Sequence, residues 1–287
     1  MLDGPALYDR VMRGWLIAGG ARSRRVRYRF SDELHVLDLP GRGALPPVVL
    51  VHGFSASGAS QYGPLVMGLR DRVTRIFLPD LPGHGGSSVP ASGLDAPAMI
   101  DGLTAAVDEL LDEPAVMFAS SMAGGVAVHV ALRRPDALRG LMLCSPSGAP
   151  FAPDQAEKFA RVFRVQSHED ALAFVDRLSP HPWWKRHAYA WGIRQAFSRP
   201  HLVKLLDDVP TMRFLEPDEL AALSIPVHLV WGRADEVLPA SQLDFYRAHL
   251  PRTATIETPH QFGHAPFLDH AEELTQLFLG FVRRVAG

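Results

Sequence analysis

The apolar run Ala115-Val116-Met117-Phe118-Ala119 breaks off at Ser120-Ser121 and passes directly into Met122-Ala123-Gly124-Gly125, small residues suited to a helix start. This is the layout of a nucleophile elbow, in which a strand turns sharply into a helix and exposes one hydroxyl at the turn. So tight a turn demands small residues two places before and two places after the nucleophile. With Ser121 at the centre those places hold Ala119 and Ala123; with Ser120 they would hold Phe118 and Met122, which would clash. Ser121 is therefore the candidate. Alone, the pattern A-x-S-x-A also describes an ordinary helix N-cap, so the surrounding chain has to decide.

Outward from this stretch the chain alternates strand and helix. Residues 48–51 are apolar on both faces, as in a strand buried within a parallel sheet. Strands are expected at 75–78, 115–118, 141–144, 227–231 and 254–257, with helices at 96–111, 122–132, 240–249 and 271–282. Such a rhythm gives an α/β fold with helices on both faces of a mostly parallel sheet. Ahead of it, residues 24–30 alternate strictly, with Val26, Tyr28 and Phe30 on one face and Arg25, Arg27 and Arg29 on the other. They read as a half-exposed antiparallel strand whose hairpin partner is 33–39. The rhythm breaks between Ser145 and Leu223, where helical patterns at 155–165, 169–178 and 188–197 are separated by prolines. The expected organisation is a core over 1–145, a helical insertion over 146–222, and the remaining core over 223–287.

Composition narrows the function. Hydrophobic residues make up 47%, charged residues 21%, and the formal charge is -2. These describe an ordinary globular protein, with no reason to expect a nucleic-acid partner. The single cysteine, Cys144, has no internal disulfide partner, which fits a reducing compartment and a cytoplasmic location. No apolar run reaches the roughly 18 residues of a membrane span. Leu7, Val11, Trp15 and Ala18 do recur at helical spacing near Arg10 and Arg13. That helix either packs on its own domain or makes a weak peripheral contact with a membrane.

Open parallel sheets bind ligands at the carboxyl ends of their strands. Standing there are His52-Gly53-Phe54, then Asp80-Leu81-Pro82-Gly83-His84-Gly85-Gly86-Ser87, then Ser121, then Gly232-Arg233-Ala234-Asp235, and finally Gly263-His264-Ala265-Pro266. A serine, an acid and a histidine thus follow one another in the order associated with α/β-hydrolases. The sequence resembles the α/β-hydrolase superfamily, and specifically its capped, esterase- and lipase-like serine hydrolases. The five stretches fall in that family's order over nearly the whole chain. The departure is alanine for glycine at positions 119 and 123.

The resemblance implies Ser121 as nucleophile, His264 as base and Asp235 as the acid that orients it. A serine hydroxyl is a weak nucleophile until an imidazole takes its proton, and the imidazole needs a carboxylate to hold its tautomer. His260 is the rival base and Glu236 the rival acid; both fit the motif less well. The resemblance also implies an oxyanion hole from the backbone N–H groups of Phe54 and Met122, and a cap formed by the insertion. His52, Asp80 and His84 are expected to brace loops. Trp183, Trp184 and Trp191 either form the core of the cap or line a pocket over the site.

No zinc-type spacing and no phosphate-cradling glycine loop occurs, so neither metal nor organic cofactor is expected. The expected activity is hydrolysis of a small carboxylic ester with an apolar acyl or aryl part. A serine at 121 argues against the carboxylate-nucleophile epoxide hydrolases and dehalogenases of the same fold. A carbon–carbon bond hydrolase and a non-catalytic ligand receptor are the alternatives.

Overall fold

The computed structural model describes residues 4–55, 57–179 and 186–287. The chain opens with α1 (Gly4–Ala18) and the hairpin β1 (Arg22–Arg29) and β2 (Asp32–Pro40). The first half of the core then runs β3 (Val48–Val51), α2 (Gly63–Leu69), β4 (Arg75–Asp80), α3 (Ala96–Leu110), β5 (Ala115–Ser120), α4 (Met122–Arg133) and β6 (Leu138–Cys144). Next come α5 (Pro153–Val162), α6 (His168–Leu178), α7 (Arg186–Ala196), α8 (Pro200–Asp207) and α9 (Pro217–Ala221). The chain closes with β7 (Val227–Val230), α10 (Ala240–His249), β8 (Thr255–Glu257) and α11 (Ala271–Val285).

The strands form one eight-stranded sheet in the order β1-β2-β4-β3-β5-β6-β7-β8. β1, β2 and β4 pair antiparallel, and every later pairing is parallel. This is the mostly parallel α/β architecture that the strand rhythm anticipates, and the α/β-hydrolase arrangement that the resemblance implies. β3 and β5 are buried along their whole length because each has a strand on both sides and helices on both faces. One apolar layer includes Met99, Leu103 and Val126 beneath α3 and α4; the other includes Leu65, Phe118 and Phe278 beneath α2 and α11.

Three details differ from the sequence expectation. Phe30 does not share the buried face of Val26, because it sits in the β1–β2 turn with φ 41° and is fully exposed. Between β6 and β7 the described residues form five helices and no strand, rather than three. Both α8 and α9 begin at a proline and span 8 and 5 residues, too short to show a clear period. Finally, α1 docks through Asp9, Met12, Arg13 and Leu16, leaving the Val11 and Trp15 stripe in solvent. Arg13 reaches the buried carboxylate of Asp80 at 2.9 Å, and Ser60 donates to Asp9 at 2.6 Å. A polar anchor, not the apolar stripe, fixes that helix.

Candidate active site

Ser121 stands between β5 and α4 with φ 52° and ψ -126°, a left-handed conformation rare for a side-chain-bearing residue. Its backbone is held by three hydrogen bonds: its N–H donates to the Cys144 carbonyl at 3.1 Å, and its carbonyl accepts from Gly124 and Ser147 at 2.8 and 2.9 Å. Such over-determination is what allows strain of this kind to persist. Ala119 and Ala123 are both completely buried, and their methyl groups fit the turn. Glycine is obligatory one layer out. A Cβ on Gly53 would lie 2.8 Å from the Ser121 Cβ, and one on Gly124 would lie 2.3 Å from the Pro146 Cβ. The rival Ser120 is 2% exposed, and its hydroxyl is engaged with the Tyr62 phenol at 2.6 Å.

The loops after β7 and β8 are stitched together. Arg233 N–H donates to the Pro259 carbonyl and Ala234 N–H to the Phe262 carbonyl, both at 3.0 Å. Gly232 permits this approach, since a Cβ there would fall 2.2 Å from the Gly263 carbonyl oxygen. The result brings the Asp235 carboxylate to 2.8 Å from His264 Nδ1, and His264 Nε2 to 3.0 Å from Ser121 Oγ. An ionised carboxylate only accepts hydrogen bonds, so Nδ1 carries the proton and Nε2 is left to accept from the serine hydroxyl. His260 instead faces Arg233 on the surface at 3.0 Å, and Glu236 is exposed. The three residues expected from the motifs are thus contiguous, and their rivals are not.

Phe54 and Met122 sit on either side of Ser121: Phe54 follows Gly53, whose Cα abuts the serine, and Met122 opens α4. Among the described residues, neither backbone N–H has a protein acceptor. His52 steadies the first of these loops. Its Nδ1–H donates to the Gly53 carbonyl at 2.7 Å, and its Nε2 accepts from the Leu81 N–H at 2.9 Å. Both ring nitrogens being used, and burial pushing its pKa down, His52 stays neutral. The Asp80 carboxylate lies deeper. Burial would raise its pKa, but the His35 hydrogen bond and the Arg13 guanidinium overcome that and hold it well below the usual carboxylate range. Cys144 is buried on β6 opposite Ser120, and its thiol pKa is pushed up by that burial.

Two cavities meet at Ser121. The larger spans about 880 Å³, part of it open to solvent, and is walled mainly by apolar side chains, among them Met99, Val126, Phe151, Phe159, Phe163 and Leu206. The smaller spans about 590 Å³, likewise partly open, and carries Ser55, Ser57, Gln61 and Tyr189 as well as Phe174, Phe197 and His264. Phe54 and Phe163 line both, forming the partition between them. Trp191 is half-buried on α7 and is not among the residues lining either cavity. Trp183 and Trp184 lie outside the described residues. Among the described residues, phenylalanines form the aromatic wall. Phe159 and Phe163 stand four apart at the end of α5, a helical spacing visible in the sequence.

A family model for the α/β-hydrolase fold matches residues 46–173. The chain is 28% identical over 252 residues to the pimeloyl-[acyl-carrier protein] methyl ester esterase of Aeromonas hydrophila, covering 84% of this chain and 96% of that one. The chain has the α/β-hydrolase fold. Among solved α/β-hydrolases, a thermophilic esterase from Thermogutta terrifontis superposes with a TM-score of 0.75 at 26% identity, covering 93% of this chain and all 100% of that one. A Rhodococcus 2-hydroxy-6-oxo-6-phenylhexa-2,4-dienoate hydrolase superposes with a TM-score of 0.78 over 92% of this chain and 99% of that one, but at 18% identity it shows the fold alone. No helix among the described residues is long and apolar enough to cross a membrane.

Proposed function

We propose that this α/β-hydrolase cleaves carboxylic esters with an apolar acyl part through an acyl-enzyme on Ser121, with His264 as base, Asp235 as its orienting acid, and Phe54 and Met122 N–H groups as the oxyanion hole. The observation that carries the proposal is the unbroken line of hydrogen bonds from Asp235 through His264 to a strained, cavity-facing Ser121. As Ser121 Oγ bonds to the ester carbonyl carbon, its proton passes to His264 Nε2 and the carbonyl electrons move onto oxygen. That oxyanion meets two unengaged N–H groups, each typically worth about 10²–10³ in rate. Collapse of the intermediate expels the alcohol, which takes the proton from His264. Water then enters and bonds to the acyl carbon as it gives a proton to the same nitrogen; the bond to Ser121 Oγ breaks, that oxygen takes the proton back from His264, and the acid leaves.

Proton delivery assigns the cavities. The leaving oxygen must lie on the His264 side, and only the smaller cavity is lined by His264. The alcohol portion therefore occupies the cavity of Ser55, Ser57 and Gln61, and the acyl chain occupies the larger, phenylalanine-walled one. Residues 146–222 act as the cap that encloses both. The two are joined where α8 His201 meets the Gly83 carbonyl at 2.9 Å, and where Ala265, next to the base, donates to the Leu178 carbonyl at 3.0 Å.

Carbon–carbon bond cleavage is disfavoured on charge. A dienoate-type substrate carries a carboxylate on its leaving portion, and among the described residues no Arg or Lys lines the smaller cavity. The test is labelling by a fluorophosphonate together with turnover of p-nitrophenyl esters of increasing chain length. Labelling lost in Ser121→Ala, with turnover of acyl esters by wild type, is the expected result. Labelling that persists in that variant moves the nucleophile elsewhere.

A further inference from the structure

Helix α1 is turned inside out relative to an ordinary surface helix. Its inward face carries Asp9 and Arg13, which bind Ser60 and Asp80, together with Met12 against Gly63 and the buried Leu16. Its outward face carries Arg10, Val11, Gly14, Trp15, Ile17 and Ala18, all exposed, with Val11 at 58%, Trp15 at 41% and Ile17 at 53%. Among the described residues, nothing covers this strip. Basic residues flank it: Arg10 on the helix itself, exposed Arg22 four residues beyond its end, and exposed Arg25 on the same sheet face. That Arg25 and α1 share a face follows from Ser23 and Arg13 both reaching His35, the latter at 3.4 Å.

We propose that the outward face of α1 is a docking surface for an anionic lipid bilayer, with Val11, Trp15 and Ile17 entering the interface and Arg10, Arg22 and Arg25 facing acidic headgroups. A narrow apolar strip with an indole and a cationic border is what interfacial binding requires. A second copy of the chain fits the same strip poorly. A two-fold contact would set the three arginines against their own counterparts, and one helix face falls well short of the roughly 800 Å² per partner of a stable interface. Docking there also places the catalytic cavity close by, since the inward side of α1 packs against residues 58–62 and against α7, which contribute Gln61, Tyr189 and Ile193 to the smaller cavity.

The experiment is co-sedimentation of the full chain with vesicles of phosphatidylcholine alone and of phosphatidylcholine mixed with phosphatidylglycerol, at low and high salt. Two variants accompany wild type: Val11→Glu with Trp15→Glu and Ile17→Glu, and Arg10→Glu with Arg22→Glu. Wild type is expected to sediment with the anionic vesicles and to be released by salt. The first variant loses binding, and the second weakens it about tenfold or more. Both keep wild-type turnover of a soluble p-nitrophenyl ester, because neither touches the site. Absence of wild-type binding overturns the proposal, as does equal binding by the apolar variant. So does a wild-type dimer in light scattering that the apolar variant converts to monomer. An inactive but vesicle-bound wild type would instead count against the esterase reading and leave this one standing.

Discussion

His264 Nδ1 meets one oxygen of Asp235 at 2.8 Å, while the other oxygen of that carboxylate accepts from the N–H groups of Val237 and Leu238 at 2.8 and 3.0 Å. The two oxygens therefore have separate employers, and this makes the Asp235→Asn variant unusually clear to interpret. The two loop N–H groups require an acceptor, so the asparagine oxygen turns towards them and its NH₂ towards His264. That NH₂ donates to Nδ1, which moves the ring proton to Nε2 and leaves no base facing Ser121. Turnover of a p-nitrophenyl ester should fall by up to about 10⁴, with a thermal midpoint close to wild type. Near-normal turnover would place the orienting acid elsewhere.

Ser121 is strained whether or not its hydroxyl is needed, and two substitutions separate the effects. Ser121→Ala and Ser121→Gly should both abolish turnover, but only glycine relieves a φ of 52°. A side chain in that region costs about 1–2 kcal/mol, partly offset by the extra chain entropy that glycine loses on folding. Ser121→Gly is expected to be more stable than Ser121→Ala by about 0.5–1 kcal/mol in urea unfolding. Equal stability would mean that the elbow relaxes without its side chain.

The juxtaposition of Ser121, Asp235 and His264 at strand ends was legible in the sequence because each position rests on local chemistry: a small-residue turn at Ala119 and Ala123, a glycine before Phe54, a glycine-bearing loop before Asp235. The α1 surface was not, because the apolar stripe Val11–Trp15 reads as a core-facing side. What overrides it is a long-range contact, Arg13 with Asp80, between positions 67 residues apart. The phenylalanine wall was not legible for a related reason: Phe54, Phe159 and Phe163 come together only when α5 and its C-terminal end pack over the loop after β3.

Chain-length preference is set by Val126 if the larger cavity holds the acyl part. Val126 lies on α4 one turn beyond Met122, lines that cavity and is 5% exposed. Val126→Phe inserts a ring into the space a chain would fill. Octanoate ester hydrolysis should lose about 10–200-fold in kcat/KM, the range associated with one or two methylenes of misfit. Acetate ester hydrolysis should stay within about threefold, since the shorter acyl group would not reach the ring. A proportionate loss for both esters would place the acyl group in the other cavity.

Acid should destabilise the fold through its buried histidines before it reaches the carboxylates. Burial, and then the neighbouring His52 ring at 5.2 Å, pushes the His84 pKa down to about 3; burial likewise lowers His52. The unfolded chain takes up these protons near pH 6.5 and the folded chain does not. Stability is therefore fully present above pH 6.5 and declines as pH falls towards the folded values. By pH 5 His84 accounts for up to about 2 kcal/mol. Asp80 acts in the same direction lower down, its contribution being lost only below about pH 3.8. The His84→Asn variant keeps a donor for the Pro82 carbonyl, now met by Nδ1 at 2.9 Å, but has nothing to protonate. Urea midpoints measured between pH 7.5 and pH 5 should fall in wild type and fall less steeply in His84→Asn, by close to one proton's worth of slope. Parallel profiles would show that His84 is already charged in the folded protein.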